Sequence, residues 1–130
     1  MRVRDGMSPV VLTIGPGHTL RQAARLMTRH KVGAAVVHDG DGAGPGILTE
    51  RDILAALGNG LDPDRECAGD HLTRDVVFAE PDWSVDEAAD TMLRNNFRHL
   101  IVTDGGEVVG VLSMRDVVRC WSVARAPARA

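Results

Sequence analysis

The chain has few aromatic side chains: among its 130 residues there are two Trp, two Phe and no Tyr. Proteins that bind single-stranded nucleic acids stack the bases on aromatic rings, so this composition disfavours that class. The formal net charge is -3, and the basic residues are scattered among acidic ones instead of forming a basic patch. We therefore expect no nucleic acid among the partners.

Cysteines and long apolar runs are also scarce. Cys67 and Cys120 lack the spacing of a zinc site, no three histidines have ligand spacing, and no nucleophile–base pair is recognisable. From these absences we predict that the chain has no metal site and is not an enzyme. No apolar run approaches the roughly 20 residues of a membrane span, and the first residues lead into no signal-type stretch. We expect a cytoplasmic protein without a membrane partner.

The sequence repeats itself at a spacing of 65 residues, so that Val36 aligns with Ile101. One residue is lost in a turn, after which the spacing is 64 and Asp52 aligns with Asp116. An internal repeat of this kind indicates two copies of one supersecondary unit. We predict copies at residues 1–57 and 68–122, a linker at residues 58–67 and a flexible tail at residues 123–130.

Each copy is predicted to begin with a short apolar strand, Val10 to Ile14 or Val76 to Ala79, followed by a helix. The helices begin after Thr19 and Ser84. Gln22 and Glu87 follow three residues later, which is the pattern of a capping box.

Two apolar strands and a second helix complete each copy, so the predicted order is β-α-β-β-α, twice. The strands read as unbroken apolar runs, Ala34 to Val37 with Gly46 to Leu48 and Leu100 to Val102 with Val108 to Leu112, as expected for strands covered on both faces. Turns are predicted at residues 39–42 and 104–106. The second helices follow Thr49 and Ser113, and their apolar faces exceed what one packed layer needs: Ile53, Leu54 and Leu57, and Val117, Val118 and Trp121. These faces predict a homodimer built through helices.

Gly46 to Asp52 and Gly110 to Asp116 resemble the closing signature of the CBS (cystathionine-β-synthase) domain: glycine, two apolar residues, Thr or Ser, two residues and Asp. Val3 to Pro9 resembles the opening of that motif. The chain is identified as a tandem CBS pair, or Bateman module, over roughly residues 3 to 120. The fold that the resemblance implies is α+β/α/β, with two repeats related by a pseudo-two-fold axis and two clefts between them.

The resemblance implies a stand-alone regulatory, ligand-sensing module. Related pairs bind AMP, ADP, ATP or S-adenosylmethionine in the cleft between the repeats, and they often associate into dimers. We expect no cofactor beyond such a regulatory ligand, and an effector protein that the sequence does not identify.

The resemblance also implies the residues that bind the ligand. In nucleotide-binding relatives the signature Asp holds the ribose hydroxyls and the signature Thr or Ser faces the phosphate or ribose, which here indicates Asp52, Asp116, Thr49 and Ser113. A basic pair that opens the second strand holds phosphate in many relatives. The second copy has Arg98 and His99 at this place, whereas the first has Gly33 and Ala34. We therefore expect the two sites to differ in phosphate binding.

A purely structural interpretation of these residues stays open. Thr49 with Asp52, and Ser113 with Asp116, also fit a capping box, in which case they only stabilise helix starts. Arg98 would then be a surface residue and His99 a residue at the core edge. The corresponding alternative function is a structural or interaction protein with vestigial clefts, which acts through dimer or partner contacts.

Overall fold

A computed structural model describes residues 1–38 and 44–124 of the chain. The chain divides into two compact units. The central unit consists of residues 11–76, and the terminal unit combines residues 1–10 with the chain from residue 77 on. The predicted turn at residues 39–42 and the end of the predicted tail lie outside the described residues.

The element order confirms the predicted β-α-β-β-α pattern in both copies, and each copy also opens with a short helical turn that was not predicted. In chain order the elements are α1 (Val3–Gly6), β1 (Thr13–Ile14), α2 (Leu20–His30), β2 (Ala34–Val37), β3 (Gly46–Thr49), α3 (Glu50–Gly58), a 3-10 turn (Ala68–Asp70), β4 (Phe78–Ala79), α4 (Val85–Asn95), β5 (His99–Asp104), β6 (Glu107–Ser113) and α5 (Met114–Ala124). Helix α5 includes residues 123 and 124, and the boundaries predicted for the tail stay a prediction.

Each unit contains a three-stranded sheet with the same topology. The strand orders are β1-β2-β3 and β4-β5-β6; the first pair in each sheet is parallel and the second antiparallel. Val36 pairs with Ile47 in one sheet, and Ile101 pairs with Val111 in the other. These partners are related by the spacings of 65 and 64 residues, so the predicted repeat is confirmed at the level of the sheet register.

The first strand of each copy is shorter than predicted. The strand pairing of β1 begins only at Thr13 and that of β4 only at Phe78, although the apolar runs start at Val10 and Val76. The chain passes from the terminal to the central unit after Val10 and returns after Val76. Residues at such a crossing connect the units, and Val10 is accordingly exposed.

The middle strand of the central unit and the outer strand of the terminal unit differ in how completely they are buried. All four residues of β2 are buried, which confirms that a continuous apolar run marks a strand covered on both faces. The outer strand β6 is instead only partly buried, and Val108 and Val109 retain some exposure. A two-residue turn at Gly105 and Gly106, both with positive φ, connects β5 to β6 as the sequence predicted.

The starts of the first helices follow the predicted caps, with one exception. Thr19 Oγ1 accepts a hydrogen bond from Gln22 N at 3.1 Å, and Thr19 N donates to Gln22 Oε1 at 3.0 Å, which completes a capping box. Ser84 Oγ accepts from Glu87 N at 3.0 Å, but the Glu87 carboxylate returns no bond to Ser84. The predicted capping box at Glu87 is therefore wrong in its second half.

The linker predicted at residues 58–67 packs against the start of α2. Leu20 N donates to Glu66 O at 2.9 Å, and Arg21 N donates to Pro63 O at 3.1 Å. The first N–H groups of a helix have no partner within the helix, so these carbonyls satisfy them. Asp64 also pairs with the Arg21 side chain, and this hydrogen bond raises the pKa of Arg21.

The two copies exchange their opening segments. In the terminal unit Ser8 pairs antiparallel with Val111 of β6, with N–O distances of 2.9 and 3.1 Å. In the central unit Thr73 pairs in the same way with Ile47 of β3, at 3.0 and 2.8 Å. The segment at residues 1–8 thus packs with the sheet of the second copy, and the segment at residues 66–73 packs with the sheet of the first. The boundaries of the sequence repeat stay a prediction, because the compact units group the chain differently.

The exchanged segments also complete the two hydrophobic cores. Val3 is fully buried in the terminal core, with α4 and α5 residues packed around it, and Met7 packs against the same core. Ala68 and Leu72 hold the corresponding places in the central core. Neither repeat therefore supplies the whole core of its own sheet.

The signature glycines allow this close approach, and replacing them tests it. A Cβ on Gly110 would lie 2.8 Å from Ser8 O, and a Cβ on Gly46 would lie 2.9 Å from Thr73 O. Because backbone must then move, we expect Gly110→Ala and Gly46→Ala each to lower the free energy of unfolding by about 1–3 kcal/mol. Urea denaturation measures this, with Gly17→Ala as the control, since nothing lies within 4 Å of that position. Equal effects of all three variants would contradict the explanation.

Candidate ligand-binding site

The signature residues lie where an outer strand runs directly into a helix. Strand β3 ends at Thr49 and α3 begins at Glu50; strand β6 ends at Ser113 and α5 begins at Met114. The first turn of each helix has N–H groups without helical partners and carries a partial positive charge. Each junction therefore combines the positively polarised start of a helix with a hydroxyl and a carboxylate.

At the first junction one carboxylate oxygen of Asp52 caps the helix. Thr49 N and Thr49 Oγ1 both donate to Asp52 Oδ2, at 2.9 and 3.1 Å, and Asp52 N donates back to Thr49 Oγ1 at 3.3 Å. Among residues 1–38 and 44–124, nothing donates a hydrogen bond to Asp52 Oδ1. The capping interpretation is correct for these contacts, and the second oxygen keeps its capacity to accept hydrogen bonds.

At the second junction both carboxylate oxygens of Asp116 are engaged. Ser113 N donates to Asp116 Oδ2 at 2.8 Å, and Asp116 N donates to Ser113 Oγ at 3.0 Å. Arg119 Nη1 lies 3.2 Å from Asp116 Oδ1. The Asp116 side chain is 12% exposed and that of Arg119 is 61% exposed, so the pair closes over a carboxylate that is nearly buried.

Arg119 was missed by the reasoning from sequence. An Arg three residues after an Asp on a helix is a local signal for an ion pair, and it was available in the sequence. The corresponding position of the first copy, three residues after Asp52, is Ala55, which has no charge.

The predicted basic pair lies beside the second junction. His99 is the first residue of β5 and pairs with Ser113, and its Nδ1 is buried. Arg98 is exposed, and its carbonyl accepts a hydrogen bond from Met114 N at 2.8 Å. In the first copy Ala34 pairs with Thr49, and the Gly33 carbonyl accepts from Glu50 N at 2.9 Å.

The six predicted site residues therefore form two groups. Thr49 and Asp52 lie together in the central unit, and Arg98, His99, Ser113 and Asp116 lie together in the terminal unit. The difference in basic residues between the two copies falls on structurally equivalent positions. A role for any of the six in ligand binding stays a prediction.

Cys67 and Cys120 are free thiols. No three His, Cys, Asp or Glu side chains within residues 1–38 and 44–124 are arranged to hold a metal ion. None of the helices in these ranges has the length and apolar character needed to cross a membrane.

Sequence comparison finds the same repeat in known proteins. The family model of the CBS domain matches the chain twice, at residues 3–59 and 68–122. An uncharacterized 17.7 kDa protein of Acidianus ambivalens is 39% identical over 111 residues, which cover 84% of this chain and 66% of that protein. The protein MJ1225 of Methanocaldococcus jannaschii is 32% identical over 117 residues, covering 90% of this chain but only 41% of the relative. The chain thus spans between two-fifths and two-thirds of these relatives.

Solved structures of CBS domain pairs have the same fold. The CBS domain pair of protein MJ0100 is 25% identical and superposes with a TM-score of 0.84, covering 96% of this chain and 98% of that one. That structure is a complex with 5′-methylthioadenosine and S-adenosyl-L-methionine. Both ligands carry an adenosyl group with a ribose diol.

Proposed function

Because the chain belongs to the CBS domain family, we propose that it is a regulatory module that binds an adenine nucleotide or a related adenosyl ligand at its signature junctions. The observation that carries the proposal is the Asp52 carboxylate, which lies at the start of α3 and commits only one oxygen to the cap. The MJ0100 pair, with its two adenosyl ligands, supports this ligand class.

The chemistry of the junction suits a ribose. A carboxylate oxygen accepts hydrogen bonds without donating any, so a hydroxyl group of the ribose can donate to Asp52 Oδ1. A hydrogen bond to an ionised acceptor is shorter and stronger than one between neutral groups. The partial positive charge at the helix start also favours a negatively charged group of the ligand.

If the chain binds such a ligand, the ligand should raise the melting temperature, and this rise should depend on the signature carboxylates. An adenosyl ligand at a hundred times its dissociation constant stabilises a native state by about 2.7 kcal/mol, if it does not bind the unfolded chain. For a domain of this size the melting temperature should rise by on the order of 10 °C. Scanning fluorimetry with AMP, ADP, ATP, S-adenosylmethionine and 5′-methylthioadenosine measures the shift. Asp52→Ala or Asp116→Ala should abolish it for whichever junction the ligand occupies.

The same variants separate binding from capping. Each Asp→Ala change should lower the free energy of unfolding without ligand by about 1 kcal/mol, since a cap is lost. Asp90→Ala is the control, because Asp90 pairs with Arg94 on the exposed surface of α4, at 3.1 Å, and does not cap a helix. If both signature variants keep the shift of the parent, the carboxylates serve as caps alone and the proposal fails.

We further propose that the terminal unit supplies the phosphate site, because Arg98 and His99 lie beside Ser113 whereas Gly33 and Ala34 hold the equivalent places. A hydrogen bond to a charged group contributes about 1.5–3 kcal/mol, more than one from neutral backbone. One phosphate-bearing ligand per chain is therefore expected.

Arg98→Ala tests the phosphate site by calorimetry. AMP binding should weaken about tenfold or more, in line with the loss of one charge-assisted hydrogen bond. Adenosine binding should change little, because adenosine has no phosphate. Arg94→Ala on α4 is the matched control for loss of an exposed Arg. Two equivalent AMP sites per chain, or AMP binding unchanged by Arg98→Ala, would refute the predicted asymmetry.

A second candidate function is that of an interaction protein, and the exposed helix faces favour it. Leu54 of α3 is 70% exposed and Val118, its equivalent on α5, is 55% exposed. Exposed apolar side chains at equivalent positions of two helices are suited to an interface with a second copy of the chain. We propose a homodimer formed through α3 and α5. Its regulatory effect would reach an effector protein by direct contact or through a change in the assembly state of the homodimer.

The homodimer is tested by light scattering at concentrations on the order of tens of micromolar, since association depends on concentration. The parent should have the mass of two chains, and Leu54→Glu or Val118→Glu should shift it toward one, because each places a charge in the interface. Leu93→Glu on α4 is the control, since Leu93 is equally exposed but lies outside the proposed face. A monomeric parent would rule the homodimer out.

A further inference from the structure

The two signature carboxylates differ in one neighbour. Asp52 and Asp116 occupy equivalent positions, and each caps its helix through Oδ2. Three residues further along, α3 has Ala55 and α5 has Arg119. Arg119 places its guanidinium 3.2 Å from Asp116 Oδ1, the oxygen that corresponds to the uncommitted one of Asp52.

Resting on the proposed function, we propose that Arg119 is an internal competitor for the ribose diol. It occupies the acceptor oxygen of Asp116, so that a neutral adenosyl ligand fills the Asp52 junction first. A hydroxyl that approaches Asp116 Oδ1 must share this oxygen with a cation or displace it. The Asp116 side chain is only 12% exposed, so little of the carboxylate is accessible from another direction. Among the described residues of the first copy, none competes in this way, because the side chain of Ala55 has no donor.

The competition should be modest and measurable. The Arg119 side chain is 61% exposed, and water screens the ion pair on that side. Removing an ion pair of this kind should tighten diol binding at Asp116 by about fivefold, which is the upper end for an exposed pair. The helix should fold without Arg119, because Ala has a high helix propensity.

Variants in which one junction is disabled isolate each site. The probe is 5′-methylthioadenosine, which has the diol and no phosphate, and binding is measured by calorimetry. In an Asp52→Ala background, adding Arg119→Ala should tighten binding about fivefold, whereas Arg119→Lys should restore part of the competition. Arg115→Ala is the matched control, since it removes an exposed Arg from the same helix. In an Asp116→Ala background, Ala55→Arg should weaken binding by a similar factor.

A probe without the diol makes the test specific. Binding of 2′,3′-dideoxyadenosine should be indifferent to Arg119→Ala, because that ligand has no hydroxyl groups to compete with the guanidinium. If 5′-methylthioadenosine binds but Arg119→Ala has the same effect as Arg115→Ala, the inference is overturned and the proposed function stands. If 5′-methylthioadenosine and AMP bind neither the parent nor any variant, the proposed function is overturned and the inference falls with it.

Discussion

The antiparallel pairing between an opening segment and the outer strand of the other copy's sheet is the constraint on which both units depend. Ser8 pairs with Val111 and Thr73 with Ile47, so the free edges of β6 and β3 are bonded by segments from elsewhere in the chain. An unpaired edge leaves backbone N–H and C=O groups without partners, which is costly beside a buried strand. The same segments bury Val3 and Ala68 in the cores, so each sheet is completed only when both copies are present.

This pairing explains why the closing signature begins with a glycine. The role of that glycine differs from the role of the Asp at the end of the signature. The glycine is required where the opening segment crosses the outer strand, since a Cβ there would meet a carbonyl oxygen. The Thr or Ser and the Asp act a few residues later, where the strand becomes a helix. One short motif therefore combines a packing requirement at its start with hydrogen-bonding chemistry at its end.

Capping and ligand binding are compatible at these junctions because a carboxylate has two oxygens. One oxygen accepts the hydrogen bonds that stabilise the start of the helix, and the other can accept a hydrogen bond from a further donor. At Asp52 that second acceptor has no partner among the described residues, whereas at Asp116 it pairs with Arg119. The copies also differ in the residues that precede the middle strand, where Arg98 and His99 stand against Gly33 and Ala34. Two junctions with one backbone geometry thus differ in charge, and we propose that this difference sets which ligand each one takes.

The sequence by itself determined the repeat, the element order, the sheet register that relates Val36 to Ile101, and the caps at Thr19, Ser84, Thr49 and Ser113. These features depend on periodicity and on contacts between residues three apart, which a linear pattern records. The ion pair of Asp116 with Arg119 is equally local and could have been predicted. Only the tertiary structure decided which sheet each opening segment joins, and with it the short β1 and β4. The repeat presents two nearly identical edges, and either pairing satisfies the same local pattern. The choice between them is therefore made by packing of the whole chain, through burial of Val3 and Ala68 and the close approach at the two glycines.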